Sequence, residues 1–298
     1  MYTTNQIREL FGNEVLKYLQ DKNRGGISGE KGSTYENFYA IYQIALLAQE
    51  VIETNREINF SSQIFVFVDD LIIDRKGNTP LQHYQLKNST SVSWGSGLKS
   101  ISDDFSKQQA LNQAVSRDSE LHLVVSNLEL RDKLNDSLPE AIKSFSQVLY
   151  FPYESDLMRV IAQQLDFHAA IEYLCAFENP DPDKVECVAM VLLGAWASSD
   201  KSGVSILEVL KKAQGVTPSF IRSFSQEWQL DREVENILSR VENLSYNLAK
   251  GFLHWKYRDG LEEGTLTYSI DTERFMRFQK LIKKYKPTTF EALEEFLI

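Results

Sequence analysis

Residues 80–90 read PLQHYQLKNST, and the seven from Leu81 to Lys87 decide the architecture. A half-buried strand alternates its side chains between two faces. Gln82, Tyr84 and Leu86 then point one way, and His83, Gln85 and Lys87 the other. Tyr84 and Leu86 suit a core. A glutamine and a lysine together on the opposite face are either solvent decoration or a site. Upstream, QIFVFV (63–68) is a continuous apolar, β-branched and aromatic run, which predicts a strand covered on both faces. After Asp69 and Asp70, LIID stays extended, RKGN turns at Gly77–Asn78, and LQHYQLK returns as the second arm of a hairpin. The hairpin brings an acid on one strand beside the polar residue on its neighbour.

The same reading extends along the chain. Residues 5–21 predict an amphipathic helix, and NRGGISGEKGS (23–33) predicts a glycine-rich loop. STYENFYAIYQIALLAQEVIE (33–53) predicts a long, largely buried helix. A helical segment at 98–114 leads to an apolar strand, LHLVVSN (121–127). From about residue 136 the texture turns helical, near 137–147, 155–178, 184–198, 203–213, 218–248 and 271–297. One hairpin, FLHWKYRD and TLTYSID across GLEEG, interrupts it at about 252–271. The expectation is an α/β N-terminal domain over 1–135 and a mostly helical domain over 136–298.

Bulk properties narrow the function classes. The 298 residues suffice for about two domains, and 43% hydrophobic with 25% charged residues is ordinary globular composition. The longest apolar run, near Val188–Trp196, is too short to span a membrane. MYTTNQIREL lacks the basic start and apolar stretch of a secretory signal. Two cysteines, Cys175 and Cys187, make no disulfide framework, so a reducing cytoplasm is the expected compartment. A net charge of -10 argues against coating nucleic acid through a general positive field. It still permits an enzyme that grips DNA locally through a metal and a few cations. The four histidines show no HExxH spacing, and neither a P-loop nor GxSxG occurs.

An acid on one hairpin arm and a polar-x-Lys on the other suit metal-assisted phosphodiester chemistry. Mg²⁺ takes oxygen ligands, usually one or two carboxylates plus substrate phosphate. A lysine two positions on shares the face and can stabilise negative charge developing at phosphorus.

The order Glu36 … Asp70 … Gln85-x-Lys87 resembles the PD-(D/E)xK nuclease superfamily, whose core is restriction-endonuclease-like. More narrowly, GEKGSTYENFYA, VDDLII, HYQLKNS and the LVVSN strand resemble the double-strand DNA endonuclease domain of bacterial anti-phage effectors. That family includes nucleases of cyclic-oligonucleotide (CBASS) signalling systems, HerA-associated nucleases and the Lamassu nuclease subunit, the last being the nearest expectation. The resemblance covers about residues 24–130. It implies an α/β, restriction-endonuclease-like fold, a mixed sheet flanked by helices, with a mostly helical C-terminal region after it. It implies Asp70 as principal metal ligand, Gln85 giving an amide oxygen where many relatives have Glu or Asp, Glu36 adding a carboxylate, and Lys87 as catalytic lysine, with Mg²⁺ or Mn²⁺ as cofactor. Asp69 is the alternative to Asp70. Implied partners are double-stranded DNA and other subunits of a defence complex, including an SMC-like ATPase, with a homo-oligomer as the active form and no membrane.

Each residue also has a plainer reading. Ser33-Thr34-Tyr35-Glu36 matches a capping box; Asp70 could open a loop; Gln85 and Lys87 could be a solvated strand face. The rival class is a catalytically dead restriction-like scaffold. SILEVLKKAQGVTPSFIRSFSQ (205–226) has helix–turn–helix character, though ordinary helical packing is the expectation there. Trp94 is expected to anchor a loop. RFQKLIKKYK (277–286) is the most basic run, with a solvated helix face as its plain reading.

Overall fold

The computed structural model describes residues 2–28, 33–77, 79–225 and 227–297. Helix α1 (Thr4–Ser28) is broken at Gly12, whose φ of 83° only glycine adopts freely. Helix α2 (Ser33–Thr54) follows, then the meander β1 (Ile58–Ser61), β2 (Leu71–Arg75) and β3 (Leu81–Lys87). Helix α3 (Ile101–Ala114) crosses to β4 (Ser119–Val125), and α4 (Leu128–Asp136) crosses to β5 (Ser146–Tyr150). Helices α5 (Leu157–Gln163), α6 (Leu165–Leu174) and α7 (Pro182–Ala197) precede β6 (Ser202–Ser205) and α8 (Ile206–Val216).

The six strands form one mixed sheet in the order β5-β4-β3-β2-β1-β6. The pairs β1–β2, β2–β3 and β1–β6 are antiparallel, while β3–β4 and β4–β5 are parallel. The helical crossovers account for the parallel pairs, since parallel neighbours cannot be joined by a tight turn. One face of the sheet carries Ile58, Phe60, Leu71, Ile73, Tyr84, Leu86 and Val124 against α2 and the helices after residue 157. The other carries Leu121, Leu123, Val125 and Val148 against Phe105, Leu130 and Leu134 of α3 and α4. Helix α1 adds Ile7, Leu16 and Leu19 around Phe67 and Leu111. The molecule is therefore α/β, a mixed sheet flanked by helices.

A second core forms after residue 226. Helix α9 (Arg232–Leu238), strands β7 (Leu244–Ala249), β8 (Phe252–Tyr257) and β9 (Glu262–Thr265), helix α10 (Glu273–Tyr285) and helix α11 (Phe290–Glu294) enclose Val234, Leu253, Phe275, Phe278, Ile282 and Leu293.

Several sequence expectations are corrected. QIFVFV is no strand: Val66, Phe67 and Val68 are at most 2% exposed, but their backbone turns. The side-chain oxygen of Gln108 receives the Phe67 and Val68 N–H groups at 2.9 and 3.3 Å. An apolar run reports burial, not pairing, and the first strand is the shorter INFS. NRGGIS continues α1 to Ser28 in place of a loop, while residues 29–32 lie outside those described. The helices expected at 137–147 and 218–248 give way to β5 and, in the latter stretch, to β7 with only α9 helical. Helix α8 buries Ile206, Val209, Leu210 and Ala213 in the main core, the ordinary packing expected there, but the second helix expected from 218 does not form over 218–225. The boundary expected at 135 falls in the last turn of α4, and both β5 and β6 join the sheet from beyond it.

Candidate active site

Asp70 immediately precedes β2, whose Leu71 pairs with Tyr84 of β3. That register brings its carboxylate to the end of β3. Oδ2 accepts the Leu86 backbone N–H at 2.7 Å and also the Gln85 amide, while Lys87 Nζ stands 4.0 Å away. Oδ1 accepts from Gln63 Nε2 at 3.3 Å, and the same nitrogen lies 3.1 Å from Glu36 Oε2 on α2. The sequence-predicted set Glu36, Asp70, Gln85 and Lys87 thus converges. Asp70 and Gln85 are 8% and 4% exposed, whereas the Lys87 side chain is 39% exposed, an ammonium at the mouth of a buried polar cluster.

Burial, then repulsion from Asp70, pushes the Glu36 carboxyl up to about 7, against the opposing Gln63 hydrogen bond and the Lys87 and Lys201 charges. Asp69 is likewise pushed up to about 7 by burial and then Asp70, with Lys22 and Lys87 opposing. Lys201, lowered by burial, donates to Asn37 Oδ1 at 3.0 Å on the turn that carries Glu36. Like charges that crowd together under desolvation favour an added proton or cation.

The Asp69 side faces a different cation. Lys22, on α1, reaches Asp104 Oδ2 at 2.8 Å, Asp69 Oδ1 at 3.9 Å, Gln85 Oε1 at 3.5 Å and the Phe67 carbonyl. Tyr18 donates to the same Asp104 oxygen at 3.0 Å. The chemistry of the partners orients Gln85. An ammonium only donates and a carboxylate only accepts, so the amide oxygen faces Lys22 and the nitrogen faces Asp70.

Lys22, Gln63, Asp104 and Lys201 are residues that sequence reasoning missed. The contacts span 63 residues between Lys22 and Gln85 and 82 between Lys22 and Asp104, and no periodicity encodes such meetings. Gln63 offers one structural clue, a φ of 54° that non-glycine residues seldom adopt. Its N–H bonds the Asp69 carbonyl at 2.7 Å, closing the loop that presents Asp70. The capping-box reading rests on Ser33, whose side chain lies outside the described residues.

His83 shares the Gln85 strand face, as expected, but is fully buried between the Val68 carbonyl (3.0 Å) and Asn112 (3.3 Å). Trp94 is 5% exposed and donates to the Leu134 carbonyl at 2.9 Å, so it anchors the loop after β3.

Among the described residues no group of three or more His, Cys, Asp or Glu is arranged to hold a metal. The donor set at the site is smaller: two carboxylates, Glu36 and Asp70, that share one amide proton donor. Such a pair fits a hard divalent cation that completes its shell with water and substrate oxygens. Gln85 presents nitrogen to Asp70 in this arrangement, so its oxygen meets a shared cation only after the amide rotates. Comparison with protein-family models, with curated proteins and with solved structures finds no match for this chain.

Proposed function

We propose that this protein is a metal-dependent endonuclease that hydrolyses phosphodiester bonds of double-stranded DNA. One observation carries the reading. Asp70, held by Leu86 N–H at 2.7 Å, stands between Gln63, which ties it to Glu36, and Lys87 at 4.0 Å. The α/β architecture, with a mixed sheet flanked by helices, supports it as a restriction-endonuclease-like core.

When bound, Mg²⁺ or Mn²⁺ at Glu36 and Asp70 would supply Lewis-acid polarisation of the phosphate and a more acidic water. The chain's own residues do the rest. Leu86 N–H and Gln85 fix the Asp70 carboxylate, so it needs no reorganisation when charge develops. Lys87, on the same strand face and open to solvent, offers its ammonium to a phosphoryl oxygen or to the attacking water. Gln63 keeps the two acids together when no cation bridges them. The wider setting, an effector in an anti-phage complex restrained by partner subunits and acting as an oligomer, rests on the resemblance of GEKGSTYENFYA, VDDLII and HYQLKNS to that family.

Supercoiled plasmid incubated with the purified protein in Mg²⁺ or Mn²⁺ tests the reading. Nicked and linear products that EDTA and Asp70→Asn both abolish are expected. A chain that leaves plasmid intact in both metals, alone and with the proteins encoded beside it, is a scaffold instead.

A further inference from the structure

The strongest concentration of positive charge lies far from this site in sequence. Helix α10 with its C-cap residue holds Arg274, Arg277, Lys280, Lys283, Lys284 and Lys286 against one acid, Glu273, in a chain of net charge -10. The structure sorts these cations into two groups. Lys283 pairs with Asp231 at 2.7 Å and Lys286 with Glu233 at 3.2 Å, both near the start of α9. Arg274, Arg277, Lys280 and Lys284 are exposed and make no ion pair among the described residues. Glu273 sits one turn before Arg277 and does not reach it.

Helical geometry explains the sorting. At about 100° per residue, Arg277, Lys280 and Lys284 fall within an arc of roughly 60°, on the side opposite Phe275, Phe278 and Ile282. Those three apolar residues are buried in the second core at 2% exposure or less, so the helix is clamped and the stripe cannot roll away. Three cations then run about 10 Å along one rigid edge, with Arg274 just before them and about 60° to the side of Arg277, so the four together span roughly 120°. The apolar side is already occupied, which removes the half of the helix that a bilayer would need. A row of unpaired cations on a rigid edge fits a linear polyanion.

We propose that this α10 stripe is a docking surface for the backbone of duplex DNA, supplying the grip that the acidic chain lacks at its catalytic site. The proposal rests on the nuclease reading for its choice of polyanion. Contacts of this kind are sequence-independent, and each neutralised phosphate adds about 0.9 to the slope of log affinity against log salt.

The test uses the full chain carrying Asp70→Asn, in EDTA, so that binding is read without cleavage. Anisotropy of a labelled blunt duplex is titrated across a sodium chloride series. The quadruple change Arg274→Ala, Arg277→Ala, Lys280→Ala and Lys284→Ala should weaken binding at low salt by at least about tenfold and lower the salt slope by roughly 3 units. A variant with Arg274→Lys and Arg277→Lys should keep the slope. All four side chains are exposed, so an unchanged thermal melt is expected; if the quadruple variant melts early, Lys280→Ala alone should still lower the slope by about 1. Unchanged affinity and slope in the folded variants, or no duplex binding by the parent even at low salt, overturns the proposal. Stripe-dependent binding by a protein that cleaves no plasmid would instead sink the nuclease chemistry and leave this surface standing.

Discussion

Lys22 and Gln85 meet across 63 residues of chain, with Nζ 3.5 Å from the amide oxygen, while the nitrogen of the same amide donates to Asp70. One side chain therefore connects the solvent-facing helix α1 to the central carboxylate. The Lys22 ammonium also carries the counter-charge for Asp104 and Asp69, both nearly buried.

Removing that ammonium should destabilise the fold before it affects any chemistry. Breaking a buried ion pair by deleting one partner typically costs about 3–5 kcal/mol. Lys22 keeps some exposure and solvent screens the pair, so Lys22→Met is expected somewhat below that range, at about 2–3 kcal/mol in urea unfolding. Adding Asp104→Asn should recover a large part, because the orphaned charge is then gone. A Lys22→Met midpoint indistinguishable from the parent would show that α1 is not latched through this contact.

Lys87→Ala should separate activity from stability. The side chain is 39% exposed and lies 4.0 Å from Asp70, so its loss opens no core and removes a weak, solvent-screened pair. Stability should change by less than about 1 kcal/mol, while plasmid cleavage falls by at least about 100-fold. Full nicking and linearisation by the purified variant would remove Lys87 from the chemistry.

Glu36→Gln should move stability and activity in opposite directions. Burial and the nearby Asp70 raise the Glu36 carboxyl to about 7, so an ionised Glu36 is a strained element of the metal-free fold. The isosteric amide removes the repulsion and should raise the thermal midpoint in EDTA near pH 8. The same change deletes half of the carboxylate pair, and cleavage across a Mg²⁺ titration should fall by orders of magnitude. Wild-type cleavage at every Mg²⁺ concentration would leave Glu36 a structural residue alone.

His122 should give the fold an acid-sensitive edge. It is 4% exposed, stacks on Tyr84 with ring centroids 4.6 Å apart, and lies 3.0 Å from the Gln147 amide. Desolvation pushes it down to about 4, with Glu120 opposing. The unfolded chain takes up a proton near pH 6.5 and the folded chain only near 4, so the unfolded state binds more protons between those values. Stability is then full above pH 6.5 and falls on acidification, by about 1.4 kcal/mol per pH unit within the window. Urea midpoints at pH 7 and pH 4.5, compared between parent and His122→Gln, read this directly. The variant should lose less stability over that interval, and an equal loss would assign the acid sensitivity elsewhere.

The alternation in LQHYQLK determined which residues of β3 meet the core and which meet the site, because a strand has a period of two that survives any tertiary context. Tyr84 and Leu86 lie in the main core and Gln85 and Lys87 lie with Asp70, as the pattern demands. The turn at Gly77 likewise brought β2 back onto β3, and with it Asp70 beside Gln85. Periodicity says nothing about how an apolar run pairs. QIFVFV was legible as buried, yet Gln108 of α3 took its N–H groups and made it a loop, leaving INFS as the strand. Nor does any local pattern reach from Lys22 to Asp104 or from Gln63 to Glu36. Those meetings arise only when α1, α2 and α3 close around the sheet, and the desolvation they impose is what raises Glu36 and Asp69. The α10 cations follow the same division. Five of the six were plain in RFQKLIKKYK, but which of them pair was decided at the start of α9, where Asp231 and Glu233 neutralise Lys283 and Lys286 and leave the outward stripe without an ion pair among the described residues.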